Sequence, residues 1–173
     1  MNRNNNMNTM RALIIFWLTA LTIPGIVWAS ESNHSVNKPV SSVDQAAVHR
    51  VMNQYKQALQ NLSIDGTFEL FSDDSSIFEQ GGVEGTYRHY VEHHLGPELE
   101  HFVSFKYSDY EVQVTVLGQY ALATETYLYE IRLKQDEDGN QRVIDKKGVS
   151  TAVLVKSKEG WKILRMHSSS RKR

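Results

Sequence analysis

The runs FVSFKYSDYEVQVTVL (residues 102–117), YALATETYLYEIRLK (120–134), QRVIDKKGVSTAVLVK (141–156) and WKILRMHS (161–168) decide the fold. Each is rich in Val, Ile, Tyr, Phe and Thr and alternates in polarity, the pattern of a strand packed on one face. Gly118-Gln119, Asp136 to Asn140 and Glu159-Gly160 punctuate them as turns. Four long strands joined by short turns pair antiparallel, and one face of the sheet must be covered.

Upstream of Phe102 the period is helical. Ser42-Val43-Asp44-Gln45 fits a capping box, with Gln45 reaching back to the start of the helix. Val48, Val51, Tyr55, Ala58 or Leu59, and Leu62 then recur at three- and four-residue spacing, which makes one stripe apolar. Asp65-Gly66 breaks this helix, and Thr67 to Phe71 reads as a second, short one before the polar run Ser72 to Ser76. Ile77 to Gln80 reads as a brief strand, and Gly81-Gly82 and Gly85 as a turn. Thr86 caps a third helix to Leu95, where Gly96-Pro97 stops or kinks it. Helices followed by consecutive strands make an α+β domain over residues 42–170, with three N-terminal helices on a mainly antiparallel sheet.

The beginning of the chain predicts an address. Arg3 and Arg11 precede an apolar core from Ala12 to Val27, and Val27-Trp28-Ala29 offers a peptidase site, so residues 1–29 read as a signal peptide cleaved after Ala29. A retained anchor is the alternative, but a span needs about 20 apolar residues, and Pro24-Gly25 interrupts this shorter run. The expected location is the periplasm, with no membrane attachment after cleavage. Residues 30–41 are polar and aperiodic, a flexible linker. Cleavage leaves 17 Lys and Arg against 20 Asp and Glu, a formal charge of −3, which gives nucleic acid no footing. Arg171-Lys172-Arg173 reads as a solvated basic tail. The chain has no cysteine, which excludes disulfides, thiol catalysis and cysteine-bound metal. It carries no nucleotide-cofactor motif, and no cofactor is expected.

Seven histidines draw attention, four of them between His89 and His101. A helical wheel puts His94 in an apolar stripe with Tyr87, Tyr90, Val91 and Leu95, whereas His89 and His93 face water. His94 is then either a hydrogen-bonded core histidine or a pocket histidine. His89 and His93, one turn apart, can grip a metal, but no Glu base of the His-Glu-x-x-His type lies between them, and a solvated face is the plainer reading. Along Tyr120 to Lys134 the odd positions place Glu125 in an apolar row with Ala121, Ala123 and Tyr127. A buried carboxylate needs a partner. By the same parity Trp161, Ile163, Arg165 and His167 share a face, which makes Arg165 the candidate partner, as a structural ion pair or a catalytic one. Leu122, Leu128, Leu164 and Met166 fall on the opposite face and point to sheet-to-sheet contact in a homodimer.

Three segments carry a resemblance: Phe78-Glu79-Gln80-Gly81-Gly82-Val83-Glu84, Tyr90-Val91-Glu92-His93-His94-Leu95, and Trp161 to Ser169 with its Trp…His-x-Ser close. Over Val43 to Ser169 the chain resembles the nuclear transport factor 2-like superfamily, in particular exported SnoaL-like, polyketide-cyclase-like domains. The resemblance implies a cone-shaped cystatin-like fold with a deep pocket between a curved sheet and the helices, dimerising through the outer sheet face. It places Glu79, His94 and His167 at recurring polar positions, with Glu84 a weaker match. Neither the Asp base nor the Tyr/Asp oxyanion pair of ketosteroid isomerases has a match. Three functions follow as expectations. The first is a module that binds a small molecule in a pocket lined by Glu79, Tyr90, His94, Glu125, Tyr127, Arg165 and His167. The second is an isomerase or cyclase, with His94 or Glu125 as base and His167 or Arg165 stabilising an enolate. The third is a metal protein using His94, His167 and Glu79.

Overall fold

The computed structural model describes residues 42–173; the expected signal peptide and all of the linker (residues 30–41) lie outside the described residues. Helix α1 (Ser42–Gln60) buries Val48, Val51, Met52, Tyr55 and Leu59, the stripe its spacing predicts. Its start differs from the capping-box reading. Ser42 is already helical, and the Gln45 amide donates across to the Val114 carbonyl at 3.5 Å. The second expected helix is a single 3-10 turn, Phe68–Leu70, closed by the Thr67 hydroxyl donating to the Ile64 carbonyl at 2.6 Å. The chain thus has two helices rather than three among its described residues.

The second of these, α2, runs through residues 87–101. It has an α turn Tyr87–Tyr90, a π-helical stretch Val91–Leu95, and a final α segment Gly96–His101. As expected, the Thr86 side chain caps it, accepting from the His89 amide. Gly96-Pro97 does not stop it. Proline has no amide to donate and its ring crowds the carbonyl four residues back; the helix widens ahead of it, so that the Gly96 amide donates to the Val91 carbonyl, five residues back. A Cβ on Gly96 would lie 2.6 Å from that carbonyl oxygen, so the wide turn requires glycine.

The sheet has six strands in the order β2-β1-β6-β5-β4-β3: β1 (Phe71–Glu79), β2 (Gly82–Gly85), β3 (Phe102–Leu117), β4 (Tyr120–Leu133), β5 (Val143–Ser157) and β6 (Gly160–Lys172). It is mixed, because β1 lies parallel to β6 while the other neighbours are antiparallel. The polar run Ser72 to Ser76 belongs to β1, and the expected glycine turn contains β2. β6 continues through Arg171 and Lys172, which pair with Lys147 and Lys146, so most of the supposed tail is strand.

Two bulges set which residues face inward. On β3, Ser108 pairs with Leu128 and Glu111 with Thr126, one residue too many, and Asp109 takes up the slack at φ 48°. The inward row therefore passes from Phe105 and Tyr107 to Tyr110, Val112 and Val114. On β6, Ile163 pairs with Leu154 and Arg165 with Val153, which leaves Leu164 as the extra residue. Beyond it the inward residues are Met166, Ser168 and Ser170, and Arg165 and His167 turn to the outer face. The sheet's inner face and the two helices enclose the core, in which Phe71 and Tyr87 stack with ring centres 3.6 Å apart. Trp161 donates its indole N–H to Asp44 at 3.0 Å, which ties β6 to the first turn of α1. No helix among the described residues is long and apolar enough to cross a membrane.

Candidate functional site

A cavity of about 110 Å³ lies between the inner face of the sheet and the two helices. Its wall is aromatic: Tyr55 comes from α1, Tyr90 from α2, Phe102, Phe105, Tyr107 and Tyr110 from β3, and Tyr127 and Tyr129 from β4. The rings contact one another in series. Phe105 stacks on Tyr107 at 4.7 Å between centres, and Tyr107 meets Tyr127 edge-on at 5.0 Å. Glycine makes this possible at one point. A Cβ on Gly148, which pairs with Tyr127 across the ladder, would lie 2.3 Å from the Tyr127 ring.

Charge enters this wall as Glu79, Glu98, Glu125 and Lys56. Glu125 is 4% exposed and accepts a short hydrogen bond from the Tyr110 hydroxyl. Burial pushes its carboxyl above the usual carboxylate range, against the opposing pulls of that hydroxyl and of Lys56. Lys56 sits over the Tyr110 ring, 4.2 Å from its centre. At the other end Glu79 accepts from the Tyr90 hydroxyl at 2.7 Å. Burial likewise raises Glu98. Tyr129 and Gln80 both donate to the Ser170 hydroxyl, at 2.9 and 2.7 Å. Burial drives the phenols of Tyr55, Tyr90 and Tyr107 well above their ordinary value, so each stays protonated and able to donate.

Of the residues singled out in the sequence, Glu79, Tyr90, Glu125 and Tyr127 line this cavity. His94 does not. Its side chain is 32% exposed, with Nδ1 3.1 Å from Glu84 and Nε2 3.4 Å from Glu98, and its ring rests on Tyr90. The π stretch explains the displacement, because a wider turn advances each residue through a smaller angle and shifts His94 from the middle of the stripe to its edge. Burial disfavours its cation, but the Glu84 hydrogen bond and the fields of Glu98 and Glu79 outweigh that and raise its proton affinity.

Arg165 and His167 are on the outer face, beyond the Leu164 bulge, and Arg165 donates to the Asp74 and Leu164 carbonyls rather than to Glu125. Tyr110 is Glu125's hydrogen-bond partner instead. Met166, expected outside, is buried. With His167 outside and Glu79 inside, the metal trio does not converge, and no group of three or more potential ligands occurs among the described residues. The His89 and His93 rings meet at a tilt with centres 4.4 Å apart, and His89 Nδ1 is already 3.0 Å from the Glu84 carbonyl oxygen. Sequence reading missed Tyr107, Tyr110 and Gly148. The first two had a signal, since the apolar row changes parity at Ser108-Asp109.

A six-stranded mixed sheet packed on two helices over an internal cavity defines the cystatin-like class of α+β domain, as similar solved structures show. One is an uncharacterised protein with a cystatin-like fold from Caulobacter vibrioides, 17% identical with a TM-score of 0.59, covering 75% of this chain and 91% of that one. Another is a protein of the nuclear transport factor 2-like family from Streptomyces avermitilis, at 16% identity and TM-score 0.65 over 76% of this chain and 99% of its own. A ketosteroid isomerase-like protein from Erwinia carotovora atroseptica matches at 18% and 0.61, covering 76% and 99%. The sequence profile of the SnoaL-like domain matches residues 48–171, and the chain belongs to that family. No curated protein matches it.

Proposed function

We propose that this protein is an exported module that binds a small molecule in the cavity between helices and sheet. The observation that carries the reading is the cavity: partly enclosed space walled by eight aromatic rings and a few convergent polar groups, a composition suited to holding an organic ligand. The hydroxyls of Tyr55, Tyr107 and Tyr127 make no hydrogen bond within the described residues and are free to serve a ligand. Export to the periplasm rests on the signal-peptide pattern of residues 1–29. Homodimerisation through the outer sheet face is supported by Leu122 and Val149, each 46% exposed there. The test is a saturation-transfer NMR screen of small cationic, neutral and anionic compounds against the wild type and Ser168→Leu, which fills the cavity wall. The reading expects hits that Ser168→Leu abolishes while its thermal transition is kept. A screen without hits, or hits indifferent to Ser168→Leu, contradicts it.

A second reading, an isomerase or cyclase, is favoured by one observation: Glu125, a buried carboxyl with raised proton affinity, shares the cavity with protonated tyrosines. Glu125 would act as base and the Tyr107 hydroxyl as oxyanion donor. Solvent deuterium appearing next to the carbonyl of a bound ketone, and lost in Glu125→Gln, is the expected result; no exchange above the buffer rate removes this reading.

A further inference from the structure

We infer that the ligand is a small organic cation, an aliphatic ammonium, seated against the tyrosine rings and neutralised by Glu79 and Glu98; this rests on the binding-module reading. The first ground is an imbalance of charge along the cavity wall. The cavity wall holds three carboxyl groups, Glu79, Glu98 and Glu125, against the single ammonium of Lys56. Lys56 is committed to one end, over Tyr110 and beside Glu125. At the opposite end Glu79 has the Tyr90 hydroxyl, a neutral donor, and the half-exposed Glu98 has His94, 3.4 Å away at the rim. Glu79, partly buried, and Glu98, at the mouth, thus make no salt bridge to Lys or Arg among the described residues, and an entering cation would supply that partner.

The second ground is the wall itself. Aromatic faces attract a desolvated ammonium through the ring quadrupole, and Tyr90, Tyr107, Tyr127 and Tyr129 present such rings between the two ends. Lys56 over Tyr110 shows the arrangement in place within the same cavity: an ammonium on a tyrosine face, next to a buried carboxyl group. A neutral or anionic ligand would add no countercharge to Glu79 and Glu98. The free space of 110 Å³ matches that of about four waters, which limits the guest to a compact one.

The experiment is a calorimetric titration at pH 7 with butylammonium and tetramethylammonium, each set against a neutral counterpart, 1-butanol and tert-butanol, with butyrate as the anion. At least one ammonium should bind tenfold or more tightly than its neutral counterpart. Glu79→Gln and Glu98→Gln should each reduce that preference severalfold, and Glu92→Gln, an exposed acid of the same helix, should not. Neutral or anionic probes binding as well as the ammonium ions, in a manner abolished by Ser168→Leu, would overturn the cation and leave the binding module standing. Failure of every probe, together with an empty screen, would overturn both.

Discussion

Glu125 and Tyr110 form a pair whose worth depends on pH, and a double-mutant cycle can measure it. The carboxyl is 4% exposed and accepts from the Tyr110 hydroxyl. A hydrogen bond to a charged group contributes about 1.5–3 kcal/mol and a neutral one about 0.5–1.5 kcal/mol. Folding raises the proton affinity of Glu125 because burial disfavours the anion. Its contribution to stability is therefore complete below the unfolded carboxylate range and declines as pH rises through the folded value. The urea midpoints of wild type, Tyr110→Phe, Glu125→Gln and the double variant should give a coupling of about 1.5–3 kcal/mol at pH above that folded value, where Glu125 is ionised. At pH 4 the coupling should fall toward that of a neutral pair. Glu125→Gln alone should be least harmful, or stabilising, at the alkaline end. A coupling equal at the two pH values, or within 0.5 kcal/mol of zero, the rough limit of additivity, would refute the assignment of a buried, pH-dependent pair.

Gly148→Ala pushes a methyl group into the Tyr127 ring and should lower stability by about 1–3 kcal/mol, a loss that Tyr127→Ala in the same chain partly relieves in urea melts. Gly96→Ala meets the Val91 carbonyl at 2.6 Å, where backbone must move, and should cost about the same, with the helical signal at 222 nm reduced. Asp44 is held below its ordinary range by its bond to Lys156 and by the Trp161 indole, so its contribution is present above the unfolded carboxylate range and lost as pH falls below it. Trp161 fluorescence should report that loss in the wild type and not in Asp44→Asn. Intact mass of exported protein should correspond to a chain beginning at Ser30; a mass that retains Met1 to Ala29 contradicts cleavage.

The four long strands were legible because alternation and turn residues coincide along residues 102–168, and the apolar stripe of α1 because its spacing is regular. Glu125 was legible as a charge in an apolar row. The Asp109 bulge is visible in hindsight, as the apolar row moves from Phe105 and Tyr107 to Tyr110 and Val112. The Leu164 bulge has no such mark, since Ile163, Leu164 and Met166 are all apolar and either parity reads as a core face. That ambiguity sent Arg165 and His167 into the pocket on paper. The π turn in α2 is set by Gly96-Pro97, but a uniform wheel cannot express it, and His94 was misplaced for that reason. The end of β1 was legible as the brief strand at Ile77, but its first part was hidden because Ser72 to Ser76 are polar and pair sparsely, joining β6 only at Phe71 and from Ser76 onward.

The central claim is that the cavity, rather than the outer sheet face, takes the ligand. A crystal structure of the protein soaked with the best ammonium from the titration tests it directly. The account predicts density inside the cavity, against Tyr107 and Tyr127, with the nitrogen toward Glu79 and Glu98. Density only in the outer groove beside Phe78, Leu122, Arg165 and His167, with water alone inside at saturating ligand, would contradict it.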